Sequence, residues 1–526
     1  MPSSFSKSRG TYAAIAAGTA VAAYAGVKAY QSRFEPIINE SFDLNNQTVE
    51  IDPTEHIRRS MLYANVDIFS YYKTICPNIH TLGDVFYRGY TISNNGPCLT
   101  TVDLSNKTAP THWISYGTAL ERIRYVGSHM WTNAQLTPMQ SKVAILSTNR
   151  AEYVFVEHAC YMYGFTMIGL YTTCDANTIV SLLQRTKAEV LVVDNLNRID
   201  SFKTELLQIA GLKEILVMDE IPTDENGKLQ SIPSVLKTMQ QADVRPLPKI
   251  DPDSIATLVL TSGTTGLVKF YSLSILLLFI DLSGEPKLAM LSHENFLAVV
   301  KGSIERRTRV NLNPNSNYRH CSFLPPAHLY ERINLLNCFT NGSQVAFCPI
   351  PERIFEYYPI IKPTTIGMVP RILNRVYDTI MTEVNKSKIK KFLITQALHY
   401  EKPSLFSRVL FRKVRDLFGG ELMLMVTGSA PITPEVLHFF RIALGVPVFE
   451  GYGQTESTAA GAATHISDLS CGTVGTPGSI VEMKLIDVPH TNYRANNNQG
   501  EICIRGPSVF KGKFFIKSAL QHAHFI

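Results

Sequence analysis

Short apolar runs, each closed by polar or turn-forming residues, recur through the middle of the chain. Lys142-Val-Ala-Ile-Leu-Ser reads as a buried strand. Asn149-Arg-Ala-Glu follows as a helix start, with an acidic side chain near the positive end of the helix. Ala188-Glu-Val-Leu-Val-Val-Asp, Glu214-Ile-Leu-Val-Met-Asp and Ile255-Ala-Thr-Leu-Val-Leu repeat the strand pattern. Strands that are apolar on both faces, separated by helical patterns, predict parallel sheets and an α/β fold. Residues 220–253 are polar and Pro-containing and read as a connector. Leu329 to Phe339 is apolar enough either to line a tunnel or simply to pack. There is no internal repeat and no low-complexity tract.

The N-terminal end carries a different pattern. Gly10 to Val27 has no charge, no Pro and eight alanines, with Lys7 and Arg9 before it and Lys28 and Arg33 after it. As a helix it would rise about 27 Å, near the depth of a hydrocarbon core. Residues 1–35 are therefore expected to be a membrane anchor with a single transmembrane helix. A surface or targeting helix and a cleaved signal peptide are the rival readings. Basic flanks on both sides leave the orientation open. Residues 36–60 read as a linker.

Composition narrows the class. The 526 residues are 45% hydrophobic and 18% charged, which excludes a disordered or coiled-coil chain and allows a large core. A net charge of +6 over this length is far from a nucleic-acid-binding signature. Nine scattered cysteines without a CxxC predict reduced thiols, neither a disulfide framework nor a zinc site.

The chemistry concentrates in a few segments. The strand from Ile255 leads into Thr261-Ser-Gly-Thr-Thr-Gly266, where two glycines and four hydroxyls suit a loop closing on phosphate oxygens. No Gly-Lys-Ser/Thr follows, so this is not a Walker A loop. Further on come Glu285-Pro-Lys-Leu-Ala-Met-Leu-Ser-His-Glu-Asn, Pro325-Pro-Ala-His-Leu-Tyr-Glu-Arg, Val426-Thr-Gly-Ser-Ala-Pro-Ile, Glu450-Gly-Tyr-Gly-Gln-Thr-Glu-Ser and Gln499-Gly-Glu-Ile-Cys-Ile-Arg-Gly-Pro.

In this order the segments resemble the AMP-forming (adenylate-forming) ligases, and in detail the long-chain fatty acyl-CoA synthetases. Val369-Pro-Arg-Ile-Leu-Asn-Arg and Ala159-Cys-Tyr-Met-Tyr add to the likeness. The resemblance implies the family's large N-terminal domain: two α/β subdomains with parallel sheets and a distorted β-barrel part, here over residues 61–512. It implies ATP, Mg2+ and CoA, with a long-chain fatty acid as substrate. The acid attacks the α-phosphate, pyrophosphate leaves, and the CoA thiol then displaces AMP. By the same resemblance Thr261, Ser262, Gly263, Thr264, Thr265 and Gly266 wrap the phosphates, with Lys287 close by. Glu456 is the magnesium carboxylate and the Thr261 hydroxyl its partner. Tyr452 stacks on adenine, Gly428, Ser429 and Ala430 line its edge, and Glu450, Gly451, Gly453 and Gln454 complete the nucleotide segment. Thr455 reaches the α-phosphate, and His328 lies near the acyl carboxylate. A membrane-anchored, cytosol-facing ligase of the endoplasmic reticulum, mitochondrial outer membrane or peroxisome follows as the expectation. A ligase for another carboxylic acid and a non-catalytic pseudoenzyme are the alternatives.

Two departures qualify this. Residues 267–284 interrupt the phosphate loop; without these eighteen residues the run Thr-Ser-Gly-Thr-Thr-Gly-Glu-Pro-Lys matches the family pattern continuously. They read as a translated intron or gene-model error, with a membrane-touching loop as the alternative, and they separate Lys287 from the cradle unless they loop out. After Gly512 the likeness ends, so residues 513–526 read as a non-family tail. The family's Thr-Gly-Asp segment, hinge and small C-terminal lid have no counterpart in the sequence, and this polypeptide is expected to be inactive or weak.

Overall fold

The structure, a computed structural model, describes residues 43–106, 111–222, 227–261, 287–310, 312 and 315–515. The expected anchor in residues 1–35, the loop residues Ser262 to Gly266, the insert 267–284 and the last part of the tail lie outside the described residues. Among the described residues no helix is long and apolar enough to cross a membrane.

The buried runs form the expected strands. One seven-stranded sheet is ordered Lys287–Ser292, Ile255–Thr261, Thr166–Leu170, Lys142–Leu146, Val190–Val193, Glu214–Val217, Leu229–Ser231. All its pairs are parallel except the first, Ile255–Thr261 (β1) against Lys287–Ser292 (β2), which is antiparallel. The connector around 220–253 is more than a linker. Leu229–Ser231 supplies the edge strand, and Ser231 caps a short helix, Ile232–Thr238, that buries Ile232 and Val235. A few apolar positions in a polar stretch suffice to dock it on the sheet edge.

A nine-stranded sheet carries the nucleotide-type segments on two parallel neighbours, Leu424–Gly428 (β3) and Val448–Tyr452 (β4). A third, four-stranded antiparallel sheet joins Thr48–Asp52 and Ile57–Ser60 to Glu482–Ile486 and Glu501–Arg505. All nine cysteines are free thiols.

Three helices tie the two large sheets together. Ala151–Tyr163 (α1) is buried from Tyr153 to its end and stops at Gly164, whose positive φ of 72° suits a residue without a side chain. His293–Arg309 (α2) starts at Ser292, which caps Asn295 N–H, and ends in Arg306, Arg307 and Arg309, favourable beside its negative end. Leu329–Thr340 (α3) both packs and lines a cavity, the two alternatives open for this stretch.

At their centre Arg332, with a fully buried side chain, donates to Glu157 (2.7 Å), Thr257 (3.0 Å) and Tyr161, joining α3 to α1 and β1. A guanidinium buried there is held only because each partner is an acceptor placed to meet it.

Candidate active site

Strand register sets the first part of the site. Thr261 and Lys287 are directly opposite across the β1–β2 pair, and the Thr261 Oγ1 donates to the Lys287 carbonyl at 3.5 Å. The register thus places Lys287 directly against the end of β1.

The outer edge of β2 is covered by the chain end. Lys511 N–H donates to Met290 O, Met290 N–H to Gly512 O, and Phe514 N–H to Leu288 O. Phe514 and Phe515 pack on the apolar face beneath, and the Arg185 guanidinium lies 3.9 Å from the Phe515 ring centre. Lys513 to Phe515, read as the start of a tail, therefore finish the sheet edge, where an uncovered strand would invite pairing with another chain.

The second part is backbone close approach. Gly428 ends β3 opposite Gly451 of β4, and a Cβ on Gly428 would meet Gly451 O at 2.7 Å. Ser429 then takes a positive φ of 70°, uncommon for a residue with a side chain. A Cβ on Gly453 would meet Ala459 O at 2.3 Å. Tyr452 lies over Gly461, and burial raises its phenol pKa. Glycines here bring two backbone turns together and leave a groove along Gly451–Glu456.

Glu456 is pinned by its surroundings. Its carbonyl accepts from Phe510 N–H at 2.8 Å, and its carboxylate lies 3.7 Å from Lys513 Nζ. The neighbouring Thr458 hydroxyl donates to Ser508 O at 2.6 Å. The segment 507–513 is thus a strap over the acidic end of the site, and Lys513 is a cation there that the sequence pattern did not point to.

His328 caps α3. Its Nδ1 accepts from Tyr330 N–H at 3.1 Å, so the neutral ring carries its proton on Nε2. Burial lowers its pKa, which keeps the ring neutral at physiological pH. The Tyr330 hydroxyl donates to Val426 O at 2.8 Å, fixing the start of α3 on β3.

These pieces share one cavity of about 490 Å³ between the nine-stranded sheet and helices α2 and α3. Thr261, His328, Gly428, Ser429, Gly451, Tyr452, Gly453, Gln454, Thr455 and Glu456 all line it. Three expected site residues stand elsewhere. Ala430 lines a separate shallow groove beside Pro370 and Arg371. Glu450, on β4 itself, is buried, and burial raises its carboxyl pKa against a hydrogen bond from Ile432 N–H. Lys287 stands at the strand end without lining the cavity.

One hydroxyl-bearing and one carboxylate-bearing residue, Thr261 and Glu456, both line the cavity. Among the described residues no group of three His, Cys, Asp or Glu side chains is placed to hold a metal. Magnesium asks for less, since one or two carboxylates suffice when phosphates and waters fill the other positions. The donor set fits an ion brought in with a nucleotide.

Comparison with known proteins decides the family. The pattern of the AMP-binding enzymes matches residues 98–274 and 283–513. The chain belongs to the AMP-binding enzyme family. The break in this family match falls within 267–284, where the sequence showed an interruption. The chain is 33% identical to long-chain-fatty-acid–CoA ligase 5 of Rattus norvegicus over 503 residues, 91% of this chain and 69% of the relative. It is 31% identical to ligase 1 of Homo sapiens over 92% of this chain and 68% of that one. Among solved structures, the N-terminal domain of FACL13 from Mycobacterium tuberculosis matches with a TM-score of 0.61 at 14% identity, covering 85% of this chain and 95% of that one. A long-chain-fatty-acid–CoA ligase from Archaeoglobus fulgidus gives 0.59 at 18% identity, covering 83% and 76%. These two solved structures share the fold described above.

Proposed function

We propose that this AMP-binding enzyme activates long-chain fatty acids in two steps, joining the carboxylate to AMP from ATP and passing the acyl group to CoA. The observation that carries the reading is the single cavity shared by His328 and the Gly451–Glu456 segment. A carboxylate placed beside His328 is therefore in the same enclosure as a nucleotide placed along Gly451–Glu456. The first step brings an anion up to a polyanion, so it needs oriented donors and cations. The proton on His328 Nε2 is a neutral donor for the acid. Lys287 and Lys513 supply positive charge at the phosphate side, and Thr261 and Glu456 are the residues that would hold magnesium. Magnesium, when bound, neutralises phosphate charge as the α-phosphate is attacked. Tyr452 offers a ring face for adenine, and the Gly428–Gly451 approach leaves room for its edge. Thr455 stands beside Glu456 to meet the α-phosphate. Ser262 to Gly266, outside the described residues, carry the hydroxyls and glycines that would complete the phosphate cradle. The uncharged Gly10–Val27 run, which lies outside the described residues, is read from its sequence as a membrane anchor, with a cytosol-facing enzyme as the accompanying expectation.

The test is acid-dependent pyrophosphate release with Mg-ATP across palmitate, octanoate and benzoate, read against an acid-free control. Palmitate is expected to give the largest signal. Benzoate or octanoate ahead of palmitate would assign a different acid. ATP binding with no release for any acid would overturn the ligase reading in favour of a nucleotide-binding protein without catalysis.

A further inference from the structure

The cavity does not end as an apolar pocket should. From His328 at the start of α3 to Asn337 the helix advances about 13 Å at 1.5 Å per residue. Both residues line the cavity, as do Arg306 and Arg307 in the last turn of α2. The wall at that depth therefore carries two arginines.

Arg306 is spoken for: it donates to the carbonyls of Ala463 (2.7 Å) and Thr464. Arg307 is different. Its Nη2 donates to Asn337 Oδ1 (2.6 Å) and Ser303 Oγ (3.0 Å), and its Nε to Ser303 O (3.2 Å). Among the described residues every one of these partners is neutral, and Nη1 makes no hydrogen bond.

The nearby acids are engaged elsewhere. Glu305 is bound by Arg309, Tyr63 and Tyr71. Glu331 is bound by His320 at 3.0 Å. Burial lowers the pKa of Arg307, opposed only by Cys338 and Tyr318. Yet the residue is only partly buried and lines the cavity. A guanidinium withdrawn from water without an anion is costly, and a bound carboxylate meets it with two parallel hydrogen bonds.

We propose that the remote end of the cavity can also receive a second carboxylate, so that an α,ω-dicarboxylic fatty acid of matching length is held by Arg307 more tightly than the monocarboxylic acid of the same length. This rests on the reading of the cavity as a fatty-acid site given above. An extended chain advances about 1.2 Å per bond, so the His328-to-Asn337 distance corresponds to roughly eleven bonds. Dodecanedioate is the matching probe.

The experiment is calorimetric titration of the whole chain with dodecanedioate and, separately, dodecanoate at pH 7.5. Dodecanedioate is expected to bind about tenfold to a hundredfold tighter, the range for an added charge-assisted pair. In Arg307→Gln the ratio falls toward one, and in Arg307→Lys part of it returns. Equal binding, or tighter binding of dodecanoate, by the unmodified chain overturns this proposal and leaves the fatty-acid reading standing. Binding of neither acid overturns the fatty-acid reading and this inference with it. If Arg307→Gln does not fold, the ratio in the unmodified chain decides.

Discussion

The two ends of the cavity are built by different means. At the nucleotide end, glycines and one strained serine bring backbone to backbone: Gly428 against Gly451, Gly453 against Ala459, Ser429 at positive φ. At the acyl end the wall is made of side chains from α2, α3 and the strand starts at His320, Thr365 and Leu424, held from behind by the Arg332 network. Contiguous backbone geometry makes the first end a local construction. The second exists only after distant elements have packed, so damage there reaches the whole fold.

The largest expected break is therefore at the acyl end. Arg332→Met leaves the Glu157 carboxylate buried without its partner and is predicted to cost about 3–5 kcal/mol of stability, read from the denaturant midpoint. An unchanged midpoint would mean that the network does not hold the two sheets together.

Acid is predicted to separate the ends by sign. His158 sits in the packing behind α3 against Phe86, Tyr161 and Phe339, and burial brings its pKa down to about 3. A lowered histidine contributes stability that is present above its unfolded pKa of about 6.5 and lost as pH falls. From pH 7 to 5 that loss is about 2 kcal/mol for His158 alone. His293, brought down to about 4 by burial, adds in the same direction. Glu450 at the nucleotide end acts oppositely: its raised pKa makes its burial least costly at low pH, with that relief lost as pH rises through the folded value. Hydrogen exchange at pH 7 and 5 should show α1 and α3 loosening before β4. Simultaneous loosening would remove the distinction.

At the nucleotide end, a single carbon should hurt binding as well as stability. Gly453→Ala places a Cβ 2.3 Å from Ala459 O. Such overpacking costs about 1–3 kcal/mol of stability; because Gly453 also lines the cavity, ATP affinity is expected to fall roughly tenfold to a hundredfold by calorimetry, with the melting transition still cooperative. Unaltered ATP affinity would place the nucleotide elsewhere.

The smallest effect concerns the loop between the ends. Thr261 and Lys287 are paired whatever connects them. Deleting 267–284 shortens the connection and is predicted to raise stability by about 1 kcal/mol through lower closure entropy. A loss of stability would show that the insert packs on the domain.

This division explains what the sequence revealed. The nucleotide end was legible because Gly451, Gly453 and Glu456 sit within one short run, and backbone contacts demand glycine at fixed spacing. The β1, Lys142–Leu146 and Val190–Val193 strands were legible because burial on both faces demands unbroken apolar runs. Arg307 gave no such signal, since a basic residue in the last turn of a helix is usual and only packing against α3 turns it inward. Arg332 stood in plain view as the last residue of Pro325-Pro-Ala-His-Leu-Tyr-Glu-Arg, but its partner Glu157 lies in a separate apolar run, marked only by being an acid among buried residues. Leu229–Ser231 and its helix were missed because their few apolar positions are diluted by a polar connector.

The central claim is that nucleotide and fatty acid occupy opposite ends of one cavity. A non-hydrolysable acyl-adenylate, palmitoyl-sulfamoyl adenosine, joins the two in one molecule. Hydrogen exchange with this ligand should protect Gly451–Glu456 and His328–Cys338 together. Protection of one segment without the other, at saturating ligand, would contradict it.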